Sequence, residues 1–240
     1  MNSEKKGLDA SALKYIAIFA MFIDHTASLF VPMNTVVYTV MRFIGRSTLP
    51  IMAFFIVEGY HHTKNLRKYY IRMIVFAVIS HFAFAFCFAG GFFAKAKSSV
   101  ITTLTLCLLS VDIVNNPKIK TAYKMPLILI IAFLSEECDW GMNAVIFTLA
   151  FELARGDKKD QCKAYAIAAA WYCLPLLTVL RYSGLEMFLY SLSRLGVFVP
   201  ALLLMSYNGE KGGGKYTKWV FYIFYPLHML LLGYVNNYLV

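Results

Sequence analysis

The chain has 240 residues, of which 60% are hydrophobic and 15% charged, with a mean hydropathy of +0.62. Soluble domains carry about 45–50% apolar and about 25% charged residues, so the composition excludes an ordinary soluble enzyme and points to an integral membrane protein. A crossing helix takes about 20 mostly apolar residues. The length therefore has room for roughly eight to ten crossings and none for a second folded domain, so residues 1–240 are expected to form a single all-α transmembrane bundle.

Nine apolar stretches are expected to be spans: 13–31, 36–60, 69–92, 99–114, 123–137, 140–154, 163–180, 185–205 and 218–238. The fourth to sixth are short for a crossing. Polar turns separate the stretches, among them "NNPK", "ARGDKKDQ" and "NGEKGGGK". Lys5 and Lys6 ahead of an apolar run resemble a signal peptide. Asp24-His25 breaks that run and no small-x-small cleavage site follows, so a retained first helix is expected.

The net charge of +10 is read as topology, not as nucleic-acid binding. With the N-terminus inside, the inner side collects Lys5, Lys6, Lys14, Lys64, Arg67, Lys68, Arg72, Lys118, Lys120, Lys124, Arg155, Lys158, Lys159, Lys163, Lys211, Lys215 and Lys218. The outer side holds only Lys95, Lys97 and Arg181. This asymmetry predicts N-in, C-out and an odd number of crossings, in the cell (plasma or inner) membrane. The five cysteines form no C-x-x-C pair and predict neither a disulfide framework nor a metal site.

Several ionisable residues fall at membrane depth. At about 1.5 Å per residue, His25 lies about 15 Å into the first span, near the middle of a core about 30 Å thick. Arg46 lies at similar depth on the second span, with Arg42 about 6 Å nearer the outside on the same helix face. His228 is near the middle of the last span and His81 slightly further out. A central Asp or Arg costs about 2.5–3.5 kcal/mol to insert, so such groups face the bundle interior or a wet cavity. Asp24 neutralising Arg42 or Arg46, with His25 on a backbone carbonyl, is the plain structural alternative to chemistry. His81 is expected to be structural.

Toward the inner side, "FFIVEGYHHTKNLRKYYIR" sets Glu58, His61 and His62 against Lys64, Arg67, Lys68 and Arg72. The stretch reads as a topology anchor or as a phosphate-binding patch, since Arg and Lys hold phosphate oxygens through charge-assisted bonds. His61-His62 as metal ligands is disfavoured, because adjacent helical residues point apart. In "KWVFYIFYPLHMLLL", Pro226 frees a backbone carbonyl, and Tyr222 and Tyr225 bring hydroxyls close to His228.

The blocks "LKYIAIFAMFIDH", "MRFIGRSTLPIMAFFIVEGYHHTKNLRKYYIRM" and "SYNGEKGGGKYTKWVFYIFYPLH", with the weaker "CDWGMNAVIF", resemble the TraX family across nearly the whole chain. That family is named for the conjugation protein that N-acetylates the N-terminus of F-type pilin. The resemblance implies a transferase with acetyl-CoA as donor cosubstrate and no metal. The acceptor is left open among a peptide amine, a glycan hydroxyl and a lipid headgroup. No G-x-S-x-G elbow or Walker loop supports a hydrolase or ATPase.

Acyl transfer needs a base for the acceptor's proton and a donor group for the developing oxyanion. His25 is the expected base, with Asp24 orienting it or paired with Arg42 or Arg46. His228 is the second candidate base, and Arg46 or Tyr225 the oxyanion partner. Glu58, His62, Lys64, Arg67, Arg72, Lys215, Lys218 and Tyr222 are the expected CoA contacts, with Gly212 to Gly214 allowing close backbone approach. The rival readings are a membrane transporter or exporter using the same midplane charges, and a non-catalytic assembly subunit.

Overall fold

A computed structural model describes residues 7–182, 184–214 and 217–240. Lys5, Lys6 and Lys215, which figure in the sequence reading, lie outside the described residues. The described chain is helical, with two isolated bridges, Leu8 to Tyr207 and Ser98 to Cys138, in place of any sheet. The helices are α1 (Ala10–Phe30), α2 (Val36–Gly45), α3 (Thr48–His62), α4 (Leu66–Ala89), α5 (Val100–Asn115), α6 (Thr121–Ser135), α7 (Met142–Leu153), α8 (Lys158–Cys173), α9 (Pro175–Tyr182), α10 (Leu185–Leu192), α11 (Val199–Met205) and α12 (Thr217–Tyr238), with a 3-10 segment at Ser193–Phe198.

Local chemistry sets the helix ends. Asp9 caps α1 by accepting from the Ala12 N–H at 2.7 Å, and Asn65 caps α4 by accepting from Lys68. Gly90, in the left-handed region at φ 76°, ends α4.

Among the described residues, six stretches are long and apolar enough to cross a membrane: Ala10–Phe30, Val36–His62, Leu66–Ala89, Lys158–Val179, Met187–Met205 and Thr217–Tyr238. Outward-facing apolar side chains cover them, such as Ile71, Ile74, Val75 and Val78 on α4 and Ile223, Leu227 and Leu231 on α12. A soluble monomer rarely exposes apolar patches on this scale; the chain is a membrane protein.

The expected spans at 99–114, 123–137 and 140–154 are helices too, but have only 16, 15 and 12 residues. At about 1.5 Å per residue they reach about 24, 22 and 18 Å, less than the core thickness. Nine crossings therefore do not follow from helix length alone.

Side-chain bonds give the helix directions. His25 pairs with His228, and Tyr15 packs on Phe221, so α1 and α12 are parallel. Met73 meets Tyr222 and Phe86 meets Asn237, so α4 runs the same way. Thr48 bonds the Ala17 carbonyl while Gly45 abuts Asp24, which makes the α2–α3 hairpin partner antiparallel to α1.

One end of the bundle is tied by two buried polar clamps. Glu152 on α7 takes His61 from α3 at 3.0 Å and Asn115 from α5 at 2.8 Å. Asp112 on α5 takes the hydroxyls of Tyr60 at 3.2 Å and Tyr70 at 3.1 Å. Because the α5 and α7 ends are fixed here, their shortness falls at their other ends. Ser98 and Cys138 meet there, in the loops that precede α5 and α7.

Candidate active site

Asp24, His25, Arg42, Arg46, Tyr225 and His228 converge from α1, α2 and α12. His25 and Asp24, adjacent on α1, face different partners, as neighbours on a helix must. Asp24 accepts from Arg42 at 2.6 Å, and the same guanidinium nitrogen donates to Ser28 at 2.7 Å. This Arg42 and Asp24 contact lies inside the bundle, their side chains 14% and 12% exposed.

Close approach of α1 and α2 depends on Gly45. A Cβ there would run into the Asp24 side chain.

His25 is oriented by His228, not by a carboxylate. His25 Nδ1 lies 2.9 Å from His228 Nε2, and the rings differ by 7° in plane. His228 Nδ1 lies 2.8 Å from the Phe224 carbonyl, which can only accept. The tautomers follow from that fixed point. His228 Nδ1–H donates to Phe224, its Nε2 accepts from His25 Nδ1–H, and His25 Nε2 carries the lone pair. The imidazole pair is packed by Phe22, Phe88 and Tyr225 and is buried.

Arg46 closes the second span's upper half, where α2 passes into α3. Its guanidinium lies 5.1 Å over the Trp140 ring, and its Nε has no hydrogen-bond partner. Trp140 stacks on Tyr172, and Arg194 covers Tyr172 from 5.0 Å. The turn that delivers Trp140 is strained: Trp140 has φ 69°, unusual for a bulky residue, and Gly141 follows at φ 55°.

Asp139 sits in that turn, within electrostatic reach of Asp24, Arg46 and Arg42. Sequence reading missed Asp139, since "SEECDWG" looks like an outer loop; the shortness of the flanking spans was the available signal.

Below this cluster, toward the clamped end, lies a cavity of about 470 Å³, within the range of about 300–1,000 Å³ for small-molecule sites. Lys14, Arg72, Lys211 and Lys218 line it, with Glu58 and His62, which lie 3.7 Å apart. Arg72 Nε is buried without a hydrogen-bond partner, and Lys14 Nζ sits 4.6 Å over the Phe55 ring. The glycine-rich loop forms one wall through Gly209 and Lys211. It is pinned to the start of α1 by Ala10 N–H to the Glu210 carbonyl at 2.8 Å and the Ser11 hydroxyl to the Lys211 carbonyl at 3.1 Å.

Of the expected CoA contacts, Glu58, His62, Arg72, Lys218 and Tyr222 line this cavity; Lys64, in the turn before α4, and Arg67, in its first turn, do not, and both are exposed. Lys14 and Lys211 take their place. His81 stands apart from the site, its ring against Phe82.

A family model described as TraX protein matches residues 9–236. The chain belongs to the TraX family. A TraX relative from Dichelobacter nodosus, described as "Probable fimbrial assembly protein FimC, serogroup H1", is 35% identical over 237 residues, covering 95% of this chain and 96% of its own length. No solved structure matches this TraX chain.

Proposed function

We propose that this TraX protein is an integral membrane acetyltransferase that moves an acetyl group from acetyl-CoA to an amine or hydroxyl acceptor, with His25 as the base. The observation that carries the reading is the His25–His228–Phe224 chain, which leaves the His25 Nε2 lone pair free inside a buried site. A neutral, oriented imidazole is what a general base for acyl transfer requires.

The reaction runs as follows. His25 Nε2 takes the acceptor's proton as the acceptor nitrogen or oxygen attacks the acetyl carbon. The His25 Nδ1–H bond to His228 spreads the resulting positive charge. The carbon–sulfur bond then breaks, and the proton leaves with the CoA sulfur. Asp24 is occupied by Arg42 and holds the α1–α2 contact. Arg46 adds positive charge beside the reacting centre.

The CoA end would occupy the basic cavity. Lys14, Arg72, Lys211 and Lys218 face one carboxylate, Glu58, across it. Such an excess of cation fits a ligand with several phosphate charges. The pantetheine arm would rise between α1 and α12 to the imidazole pair. On this reading the cavity and the N-terminus face the cytoplasm and the C-terminus lies outside, in the inner membrane, an orientation that the Lys and Arg asymmetry supports. The three short helices would then complete nine crossings through a locally thinned bundle. The relative's description as a fimbrial assembly protein favours a protein acceptor over a glycan or lipid.

Membranes containing the wild type and supplied with ¹⁴C-acetyl-CoA should place label in an acceptor fraction. Purified, folded His25→Ala should lose about 10²–10⁴-fold of that transfer while His81→Ala stays close to wild type. Equal labelling by wild type and His25→Ala would refute the base assignment.

A further inference from the structure

Among the described residues, three buried hydroxyls have no hydrogen-bond partner: Ser80 on α4, Ser99 at the start of α5, and Tyr225 on α12. Ser80 and Ser99 are 0% exposed and Tyr225 is 2% exposed. A buried hydroxyl left unpaired costs about 1–3 kcal/mol, so an orphan of this kind marks a place where a polar group is meant to sit.

Two of the three stand at the start of α5, Ser99 as its N-cap and Tyr225 through its approach to Val100. The Tyr225 hydroxyl faces the backbone N–H of Val100, the first residue of α5, without closing a hydrogen bond to it. Ser99 is the N-cap of the same helix, yet its side chain makes no capping bond. The first N–H groups of a helix have no intrahelical acceptor, and the helix dipole makes that end positive. A capping residue that does not cap leaves the end open to an outside acceptor.

The spot lies between the two parts of the proposed site. The Tyr225 ring is 6.3 Å from the His25 ring and 5.4 Å from the His228 ring, centroid to centroid. Ile101, next along α5, lines the basic cavity, as does Phe221, one turn before Tyr225. A group entering from the cavity therefore passes the start of α5 before it reaches His25.

We propose that the Val100 N–H and the Ser99 and Tyr225 hydroxyls form the oxyanion site for the transferred acetyl group. The inference rests on the acetyltransfer reading above. When the acceptor's lone pair attacks the acetyl carbon, the carbonyl π electrons move onto oxygen. That negative oxygen is held by these three donors until the electron pair returns, the carbon–sulfur bond breaks and sulfur leaves. Ser99 and Tyr225 are thus catalytic residues, and the short α5 has a reason: its start must lie at the depth of the imidazole pair.

The test uses the full-length protein in nanodiscs and two probes, CoA and S-carboxymethyl-CoA. The second carries a carboxylate where the oxyanion would form. Both should bind the wild type. Ser99→Ala and Tyr225→Phe should each weaken carboxymethyl-CoA about 10- to 100-fold, the effect of losing a hydrogen bond to a charged group, and change CoA less than about twofold. The ligand-free variants should melt at or above the wild-type temperature, because each sheds an unpaired buried hydroxyl.

Equal loss for both probes, or none for either, overturns the oxyanion site while the donor reading stands. A lower melting temperature in both variants overturns its premise that the hydroxyls are unpaired. Failure of the wild type to bind CoA overturns the donor reading and the oxyanion site with it.

Discussion

Arg42→Ala should destabilise this protein more than any loss of packing at that position explains. The substitution removes the 2.6 Å bond to Asp24 and the 2.7 Å bond to Ser28. Asp24 Oδ1 has no partner already, so Oδ2 becomes the second unpaired oxygen of a carboxylate that is 12% exposed. Breaking a buried ion pair from one side costs about 3–5 kcal/mol. For a chain of this size, at about 2–4 °C per kcal/mol, the melting temperature should fall by roughly 10 °C.

The double variant Asp24→Asn, Arg42→Gln strands neither charge. It should melt well above Arg42→Ala, with a coupling energy of about 1–3 kcal/mol in the cycle completed by the two single variants. Intrinsic fluorescence during heating in one detergent would measure all of them. Arg42→Ala melting within about 2 °C of wild type would refute the claim that Arg42 holds a buried carboxylate. Strictly additive effects in the cycle would do the same.

Gly45→Ala should be poorly tolerated, because the added methyl meets the Asp24 side chain and α2 must move off α1. Its loss of folded yield in a fluorescence size-exclusion assay should exceed that of Gly184→Ala, whose Cβ would meet nothing within 4 Å and whose φ of -65° suits any residue.

The helices were legible because apolar runs and polar turns alternate cleanly; the nine expected stretches all fall on helical chain, but the second, seventh and eighth are each broken into two or more pieces. Depth along a span was legible as well, since a fixed rise per residue converts position into height; Asp24, His25, Arg42, Arg46 and His228 do lie together. Partner choice was not. The His25–His228 contact joins residues 203 apart, and nothing local to either one announces the other. Lys14 and Lys211 looked like topology charges until the loop at 206–214 folded against the start of α1. Arg67 and Lys64 shared that composition, but at the exposed start of α4 and in the turn before it they stay out of the cavity. Ser99 and Asp139 were hidden for a simpler reason: hydropathy places loop residues outside the membrane, and only the shortness of α5 and α7 draws these two inward.

The most direct measurement is binding of ³H-acetyl-CoA to the purified protein in nanodiscs, for wild type and for the Lys14→Ala, Arg72→Ala double variant. Saturable binding to the wild type, competed by unlabelled CoA and weakened at least tenfold in a folded double variant, is the result predicted by a basic cavity that holds the donor. Absence of saturable binding to the folded wild type would contradict the acetyl-CoA reading, and undiminished binding to the double variant would show that the donor does not sit in this cavity.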